Sequence, residues 1–526
     1  MFVDARGLKD GTRLDADICI IGAGAAGIAM ACELAGGPHR VCLIESGGLE
    51  PAAATQALYE GQNIGWPYYD LDVLRLRFFG GTTNHWEGCC RPLEELDFVT
   101  RPWIPLSGWP FGKTELDPYY RRAQQVCQLG PYDYRVELWE TPKRPRLPLD
   151  PKRVQTAMCQ YSPPTRFGTT YRAQLERAPN ISTYLFANVL DFVPAESGRA
   201  LSEVRLATLE GARFTASARQ FVLATGGIEN PRLLLAARDG QGLGNEHGLV
   251  GRYFLEHLCF PVGLLVTAPR APSMRLYAER SVMPGGTTEA KGYLTLPREV
   301  LKAQRLPNLR IFLEQANEME TLRGTSPAVE AVFGLVRDFG HDSHTLLRLE
   351  NVASGLDDIA VYGYRRLFDP TQVDARWLYC EMEQIPNAAS RVSLGRERDA
   401  FNMPRVRLDW EISAQEREAF PRATRLVAQE LGRIGAGRVR MVATNPDTGW
   451  PTAYRGMRGG WHQMGTTRMH NDPKLGVVDA DCKIHGFDNF YIAGSSVFPT
   501  VGYTNPTLTI VALALRIADK LKARLT

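Results

Sequence analysis

The chain has no apolar run long enough to cross a membrane. Its most apolar C-terminal stretch, Leu508 to Leu515, is interrupted at Thr509 and falls far short of the roughly 20 residues a spanning helix requires. It has no basic block either. Lys and Arg number 61 against 58 Asp and Glu, for a net charge of +3, and both signs are spread along the chain. That excludes a nucleic-acid stripe and a polybasic lipid anchor. Ten cysteines show no C-x-x-C, haem-attachment or zinc spacing, so no metal site is expected. Cys19, Cys32 and Cys42 lie inside apolar stretches, as small buried hydrophobes do. The charged N-terminal segment lacks the apolar core of a secretion signal, and with those thiols it points to a reducing cytoplasm. The vicinal pair Cys89-Cys90 is expected as two packed thiols rather than a strained disulfide. Internal repeats and low-complexity tracts are absent.

What is present suits a large enzyme core. At 526 residues and 44% hydrophobic, the chain exceeds one simple domain and fits two interleaved ones. Asp17 to Ile21 reads as a buried strand. It leads into Gly22-Ala23-Gly24-Ala25-Ala26-Gly27 and the helix-like IAMACELA, then a second apolar run, Val41 to Ile44, ending at Glu45. Glu45 stands 18 positions beyond Gly27, the spacing of a dinucleotide-binding β-α-β unit. Gly22 makes the turn, Gly24 admits a pyrophosphate, Gly27 lets helix and strand pack, and Glu45 accepts from a ribose. A later apolar strand, Gln220 to Leu223, ends in Ala224-Thr225-Gly226-Gly227 and precedes a helix carrying Asn230-Pro231-Arg232. It returns the chain to an interrupted nucleotide domain. The early start of the unit and the Ser46-Gly47-Gly48 after Glu45, a combination that resembles flavoproteins, favour FAD over NAD.

These blocks, together with FFGGTTNHWEG, HQMGTTRMH and the ending AGSSVFPTVGYTNPTLTIVALALRIADKL, resemble the glucose–methanol–choline (GMC) family of flavin oxidoreductases. The resemblance spans residues 17 to 521. The NPTLT ending and the GG-x-x-x-HW block look most like the branch of the pyranose 2-oxidases, glycoside 3-oxidases and fructose dehydrogenases. It implies an α/β fold: a Rossmann-type FAD-binding domain interleaved with a substrate domain built on a mainly antiparallel sheet with helices. The FAD domain is expected from residues 1–100, 175–257 and 455–526, and the substrate and cap elements from 101–174 and 258–454.

The resemblance also implies the site. FAD is expected against Gly22, Gly24, Ala25, Ala26, Gly27, Glu45 and Ser46; against Gly81, Thr82, Thr83, Asn84, His85 and Trp86; against Val189, Ala224, Thr225 and Gly226; and against Gly494, Ser495, Asn505, Pro506 and Thr507. His462 lies over the reactive flavin face with Asn505 beside it. A neutral imidazole suits the proton of an alcohol near neutral pH, and an amide can align the same hydroxyl. Asn at 505, where many members have His, supports a sugar substrate. His85 corresponds to a residue bonded to the flavin 8α-methyl in part of the branch. With Asn84 before it instead of Thr, contact without a bond is expected and the bond stays open. His470 and His485 are given no role.

By its residues alone, Asn505 reads as the N-cap and Pro506 as the first position of a terminal helix, whose N-terminal pole the resemblance directs at the flavin N1–C2=O edge. By resemblance to the family's sheet segment near the substrate, Gln384 is a candidate hydroxyl ligand, with a solvent-facing strand residue as the alternative. Trp66, Tyr68, Tyr69, Trp103 and Trp109 offer stacking faces or ordinary packing. Segments GYLTL, LRIFLEQ, RVSLG and RVRLDWEIS read as strands, and 318–367 as an amphipathic helical segment, a surface insertion by default with a lid or an oligomer contact as the alternatives.

The expected activity is oxidation of a secondary hydroxyl of a sugar or glycoside to a keto-sugar. The alternatives are a non-sugar alcohol and a non-redox lyase on the same scaffold. Oxygen, a quinone or another carrier would accept the electrons, and oxidase against dehydrogenase and the oligomeric state stay open.

Overall fold

The computed structural model describes residues 1–282, 286–316, 375–442 and 459–526, with isolated positions between 328 and 360. The 318–367 segment therefore lies almost wholly outside the described residues.

The first sheet has eight strands, in the order Phe2–Asp4, Ile181–Leu185, Val41–Ile44, Arg13–Ile21, Arg213–Leu223, Leu201–Ala207 and Asn188–Pro194, with Phe490–Ile492 also on Arg213–Leu223. The strands from Phe2–Asp4 through Arg213–Leu223, and Phe490–Ile492, are parallel, and the last two of the path are antiparallel. Parallel strands are covered on both faces, which is why Ile18, Cys19, Ile20 and Leu43 are all wholly buried. Burying such an aliphatic side chain contributes about 1.5–3 kcal/mol. Helix Ala25–Leu34 packs against the terminal helix Thr507–Leu525, which in turn packs on Lys113–Val126. Leu508, Val511, Leu513 and Ile517 of the terminal helix are fully buried, so the apolar C-terminal run is core.

The second sheet is antiparallel throughout. Its path is Gly437–Met441, His257–Thr267, Ala375–Glu383, Leu309–Ala316, Glu289–Thr295, Gln155–Tyr161 and Cys89–Cys90, with Ser281–Val282 on Glu289–Thr295. The GYLTL and LRIFLEQ segments belong to it. RVSLG and RVRLD instead form a hairpin in a separate three-stranded sheet, where Pro404–Asp409 runs parallel to Gly61–Asn63. The molecule is thus a mixed α/β fold with one largely parallel and one antiparallel sheet. Cys89 and Cys90 are unbridged, like the other eight cysteines.

Candidate active site

Four parallel strands end in register. Ile21 lies opposite Ile44 and Leu223, and Leu223 opposite Ile492. The residues that follow, Gly22, Glu45, Ala224 and Ala493-Gly494, therefore converge on one edge of the sheet, where open α/β folds hold their ligands. The turn after Ile21 depends on Gly22, whose φ of +105° suits a residue without a Cβ. A Cβ on Gly27 would run into the Gly22 carbonyl oxygen, so helix Ala25–Leu34 starts close over the turn only because residue 27 is glycine. The Ala224–Gly227 turn is braced by buried Asn230. Its Oδ1 accepts from Thr225 N (2.8 Å) and Oγ1 (2.7 Å), and its Nδ2 donates to Ser496 Oγ at 2.9 Å.

A cavity of about 480 Å³ opens along this edge. Gly22, Gly24, Ala25, Ala26, Glu45, Ser46, Ala224, Thr225, Gly226, Gly494 and Ser495 line one part of it. Gly81, Thr82, Thr83, His85 and Trp86 line another, and Asn505, Pro506 and Thr507 a third, facing His462. The Glu45 carboxylate accepts from Ala23 N (3.0 Å), Gly47 N (2.8 Å) and Ser46 Oγ (3.3 Å), while burial pushes its pKa up.

Several expected contacts fall elsewhere. Gly27 and Asn84 do not line the cavity: Gly27 serves the helix–turn packing, and the Asn84 amide donates to Phe79 O and Gly81 O, both at 3.0 Å, closing its own turn. Val189 is core, paired with Leu206. Gln384 is 1% exposed. Its Oε1 accepts from Glu256 N (3.0 Å) and Trp410 Nε1 (2.9 Å), and its Nε2 donates to Glu411 O at 2.7 Å. Both polar ends of Gln384 are engaged in these buried bonds, and it does not line the cavity. Tyr69 of the aromatic candidates lines the cavity, whereas Tyr68, Trp66, Trp103 and Trp109 do not.

The terminal helix corrects a local reading. It spans Thr507–Leu525, and no side chain caps it. The Asn505 amide is diverted: Oδ1 accepts from an Arg310 guanidinium nitrogen at 2.6 Å, and Nδ2 meets His462 Nε2 at 3.1 Å. Arg310 is ion-paired to Glu381, directly opposite it in the second sheet, and Glu381 is in turn opposite Cys259. Antiparallel register thus sets Cys259, Glu381 and Arg310 in a row, and Cys259 and Glu381 line the cavity.

The other side of His462 rests on Glu256 and His257. Nδ1 of His462 lies 2.8 Å from Nδ1 of His257, whose Nε2 lies 3.0 Å from Gly502 O. The Glu256 carboxylate accepts the backbone N–H groups of His462 (2.8 and 2.9 Å) and His257 (2.8 Å), and the Tyr68 hydroxyl donates to it. Trp461 stands in the left-handed region at φ +64°, a strain of about 1–3 kcal/mol, just before the His462 N–H that Glu256 receives. Gly459 and Gly460 are needed there: a Cβ on Gly459 would strike Glu256, and one on Gly460 would come within 2.9 Å of His462 Nδ1.

Burial dominates the electrostatics. It holds His462 well below the usual imidazole range, helped by His257 and Arg310, and lowers His257 to about 3. Burial raises Glu256 to about 7, against the pull of its hydrogen bonds. Both imidazoles are therefore neutral at pH 7. His85 is also lowered, by burial and then Arg166. Its ring lies 5.2 Å from that of Trp461, and its buried Nε2 has no hydrogen-bond partner among the described residues.

Glu256, His257, Arg310, Glu381 and Trp461 escaped the sequence reading. The available signal was charge in otherwise apolar strands: Glu-His before LCFPVGLLV, Arg310 in LRIFL and Glu381 in LYCEM.

The sequence pattern of the FAD dependent oxidoreductases matches residues 17–339, more than half of the chain, and that of the GMC oxidoreductases matches 386–514. The chain is 26% identical over 340 residues to 2-methyl-1,2-propanediol dehydrogenase of Mycolicibacterium austroafricanum, spanning 63% of this chain and about half (53%) of that one. It is 23% identical to paromamine 6'-oxidase of Streptomyces fradiae over 95% of this chain and 90% of that one. To the fructose dehydrogenase large subunit of Gluconobacter japonicus it is 24% identical over 57% of this chain and 47% of that one. The cavity fits FAD: a helix start and glycine turns suit its pyrophosphate, Glu45 its ribose, and the unpartnered His85 Nε2 its ring system. With the in-register strand ends, the turn glycines and the pattern matched over 17–339, the chain belongs to the FAD dependent oxidoreductases and carries the GMC oxidoreductase pattern over 386–514.

Proposed function

We propose that the protein oxidises a secondary hydroxyl of a sugar or glycoside to the keto-sugar. The observation that carries this reading is the His462–Asn505 pair, 3.1 Å apart at the cavity wall. His462 Nε2 accepts the hydroxyl proton, and the Asn505 amide, oriented by Arg310, holds the same oxygen so that its C–H is aligned. Bound FAD would supply the hydride acceptor, through N5. Around the pair, Glu87, Glu381, Tyr379 and Gln463 offer polar groups, while Tyr69 and Trp461 offer ring faces. A polyol uses both kinds of surface. The Thr507–Leu525 helix start adds a positive pole where charge builds on the reduced ring.

In the same reading the first sheet with its helices is the FAD-binding domain, drawn from 1–100, 175–257 and 455–526, and the second sheet, apart from its edge strand Cys89–Cys90 and the first residue of His257–Thr267, belongs to the substrate domain of 101–174 and 258–454. His85 contacts the flavin without a covalent bond; acid precipitation then leaves the flavin in the supernatant, whereas a yellow pellet contradicts it. The ten unpaired thiols support a cytoplasmic setting, which cell fractionation tests.

The deciding experiment mixes the yellow protein anaerobically with monosaccharides, glycosides and simple alcohols, following the oxidised-flavin absorbance. Bleaching by sugars is expected. Admitting air then separates an oxidase, which recolours, from a dehydrogenase that needs a quinone or other carrier. Bleaching by apolar alcohols alone would favour the second reading, a non-sugar alcohol, which the diol relative supports. A flavin bleached by neither would favour the non-redox lyase.

The pH dependence has a definite sign. A depressed pKa keeps the base neutral to lower pH, so the rate of flavin reduction stays level through neutrality. It falls only on the acid side of 6.5, the ordinary imidazole value. Glu256, raised to about 7, can add its own limb, so an acid limb centred above 6.5 that persists in Glu256→Gln would sink His462 as the base.

A further inference from the structure

We infer that His257 is a positioning residue that fixes His462 as the tautomer protonated on Nδ1, leaving an unprotonated Nε2 beside Asn505 at the cavity wall. The inference rests on His462 being the base, and it deepens that assignment by explaining why the base presents a lone pair rather than a proton.

The argument follows a chain of hydrogen bonds whose two ends each have a fixed polarity. At one end Gly502 O can only accept. His257 Nε2, 3.0 Å away, must therefore carry hydrogen, because two facing acceptors would repel. His257 is fully buried and sits near the cation of Arg310, which keeps its ring neutral. A neutral ring with Nε2–H has a bare Nδ1. That atom lies 2.8 Å from His462 Nδ1, so His462 must donate there. A neutral His462 with Nδ1–H has a bare Nε2.

The other end gives the same answer independently. Arg310 has donors only, so the Asn505 atom 2.6 Å from it is an acceptor, Oδ1. The amide NH₂ then faces His462 Nε2 at 3.1 Å, and Nε2 must accept. Running from Gly502 to Arg310, every donor meets an acceptor with one assignment of hydrogens. Reversing either imidazole breaks a contact at one end.

The surroundings hold the rings in this relation. Glu256 receives the backbone N–H of both histidines. The rings meet edge to face, 79° apart. The charged and titratable groups around the pair are Glu256 with Tyr68 below, Arg310 with Glu381 beside Asn505, and Cys259 near Gly460. Each is held by its own partner or by burial, and among the described residues only His257 meets His462 Nδ1 within hydrogen-bond distance. An isolated neutral histidine is free to carry its proton on either nitrogen, so the acceptor on Nδ1 decides which one faces the substrate.

The test reads the tautomer without any substrate. Long-range ¹H–¹⁵N correlation spectra of ¹⁵N-histidine-labelled, FAD-loaded protein resolve bare from protonated ring nitrogens. The chain has nine histidines, and a His462→Gln difference spectrum assigns the one in question. Protonated Nδ1 and bare Nε2 are expected for His462. Asn505→Leu, which removes the second support, should keep the parent pattern, and in that background His257→Leu should make the two signals exchange or average. In His257→Gln, whose amide oxygen can accept from His462 while its NH₂ reaches Gly502 O, the parent pattern should return. A protonated Nε2 in the parent protein, or a pattern unchanged when His257→Leu is made in the Asn505→Leu background, overturns the inference. If His257→Leu fails to fold, the parent spectrum and His257→Gln still decide. Because no alcohol is present, this outcome is independent of whether any sugar bleaches the flavin.

Discussion

Replacing His462 with alanine should leave FAD bound and slow its anaerobic reduction by at least ~10²-fold, the scale of losing a general base. The two halves of this expectation have separate causes. In the proposed reading, cofactor binding draws on the glycine turns, Glu45 and the start of the terminal helix rather than on this imidazole. The backbone N–H of residue 462 still reaches Glu256 when the side chain is gone. What disappears is the acceptor of the hydroxyl proton, in a buried place where water replaces it poorly. Absorbance and flavin content read the first half, and stopped-flow reduction the second. An alanine variant reduced at the parent rate would remove His462 from the chemistry.

The second large effect concerns Arg310. In Arg310→Met, the Glu381 carboxylate, itself 14% exposed, loses its cation. Breaking a buried pair from one side costs about 3–5 kcal/mol. Thermal unfolding of the FAD-loaded protein should show a loss of that order. Removing both charges, as Arg310→Met with Glu381→Leu, should restore most of the stability, because no unpaired ion remains. Flavin reduction should stay slow in both variants, since Asn505 Oδ1 is no longer held and its amide is free to turn. Full activity in the double variant would show that Arg310 does not orient Asn505.

The contrast between these residues and the glycine turns explains what the sequence could show. Gly22 to Gly27, with Glu45 after the next strand, is a local motif: its function follows from conformations within a few dozen residues. The β-α-β unit and the terminal helix were legible for the same reason. His462 and Asn505 became legible through family resemblance, because nothing in their spacing brings them to 3.1 Å. His257, Arg310 and Glu381 owe their places to register between strands distant in sequence, which composition and periodicity do not encode. Asn505 shows how a sound local rule fails. Asn before Pro is a good helix cap, yet here two tertiary partners take the amide and the helix goes uncapped. Gln384 fails in the other direction: a polar residue in a strand near the site looked available, and three buried hydrogen bonds had already claimed it.

The short strand Phe490–Ile492 lies alongside Arg213–Leu223, with Gly494, Asn505 and the terminal helix following it. During synthesis, therefore, a nascent chain can form the early β-α-β unit long before the cavity has its remaining wall. Pairings of such large sequence separation are slow to form, since chain closure must come before their contacts accumulate. The cofactor accordingly meets a complete pocket only after the segment from Gly494 through the Thr507–Leu525 helix has emerged, and its arrival would lock together pieces far apart in the chain. Supply of flavin should then govern the yield of soluble protein more strongly than it governs the start of folding.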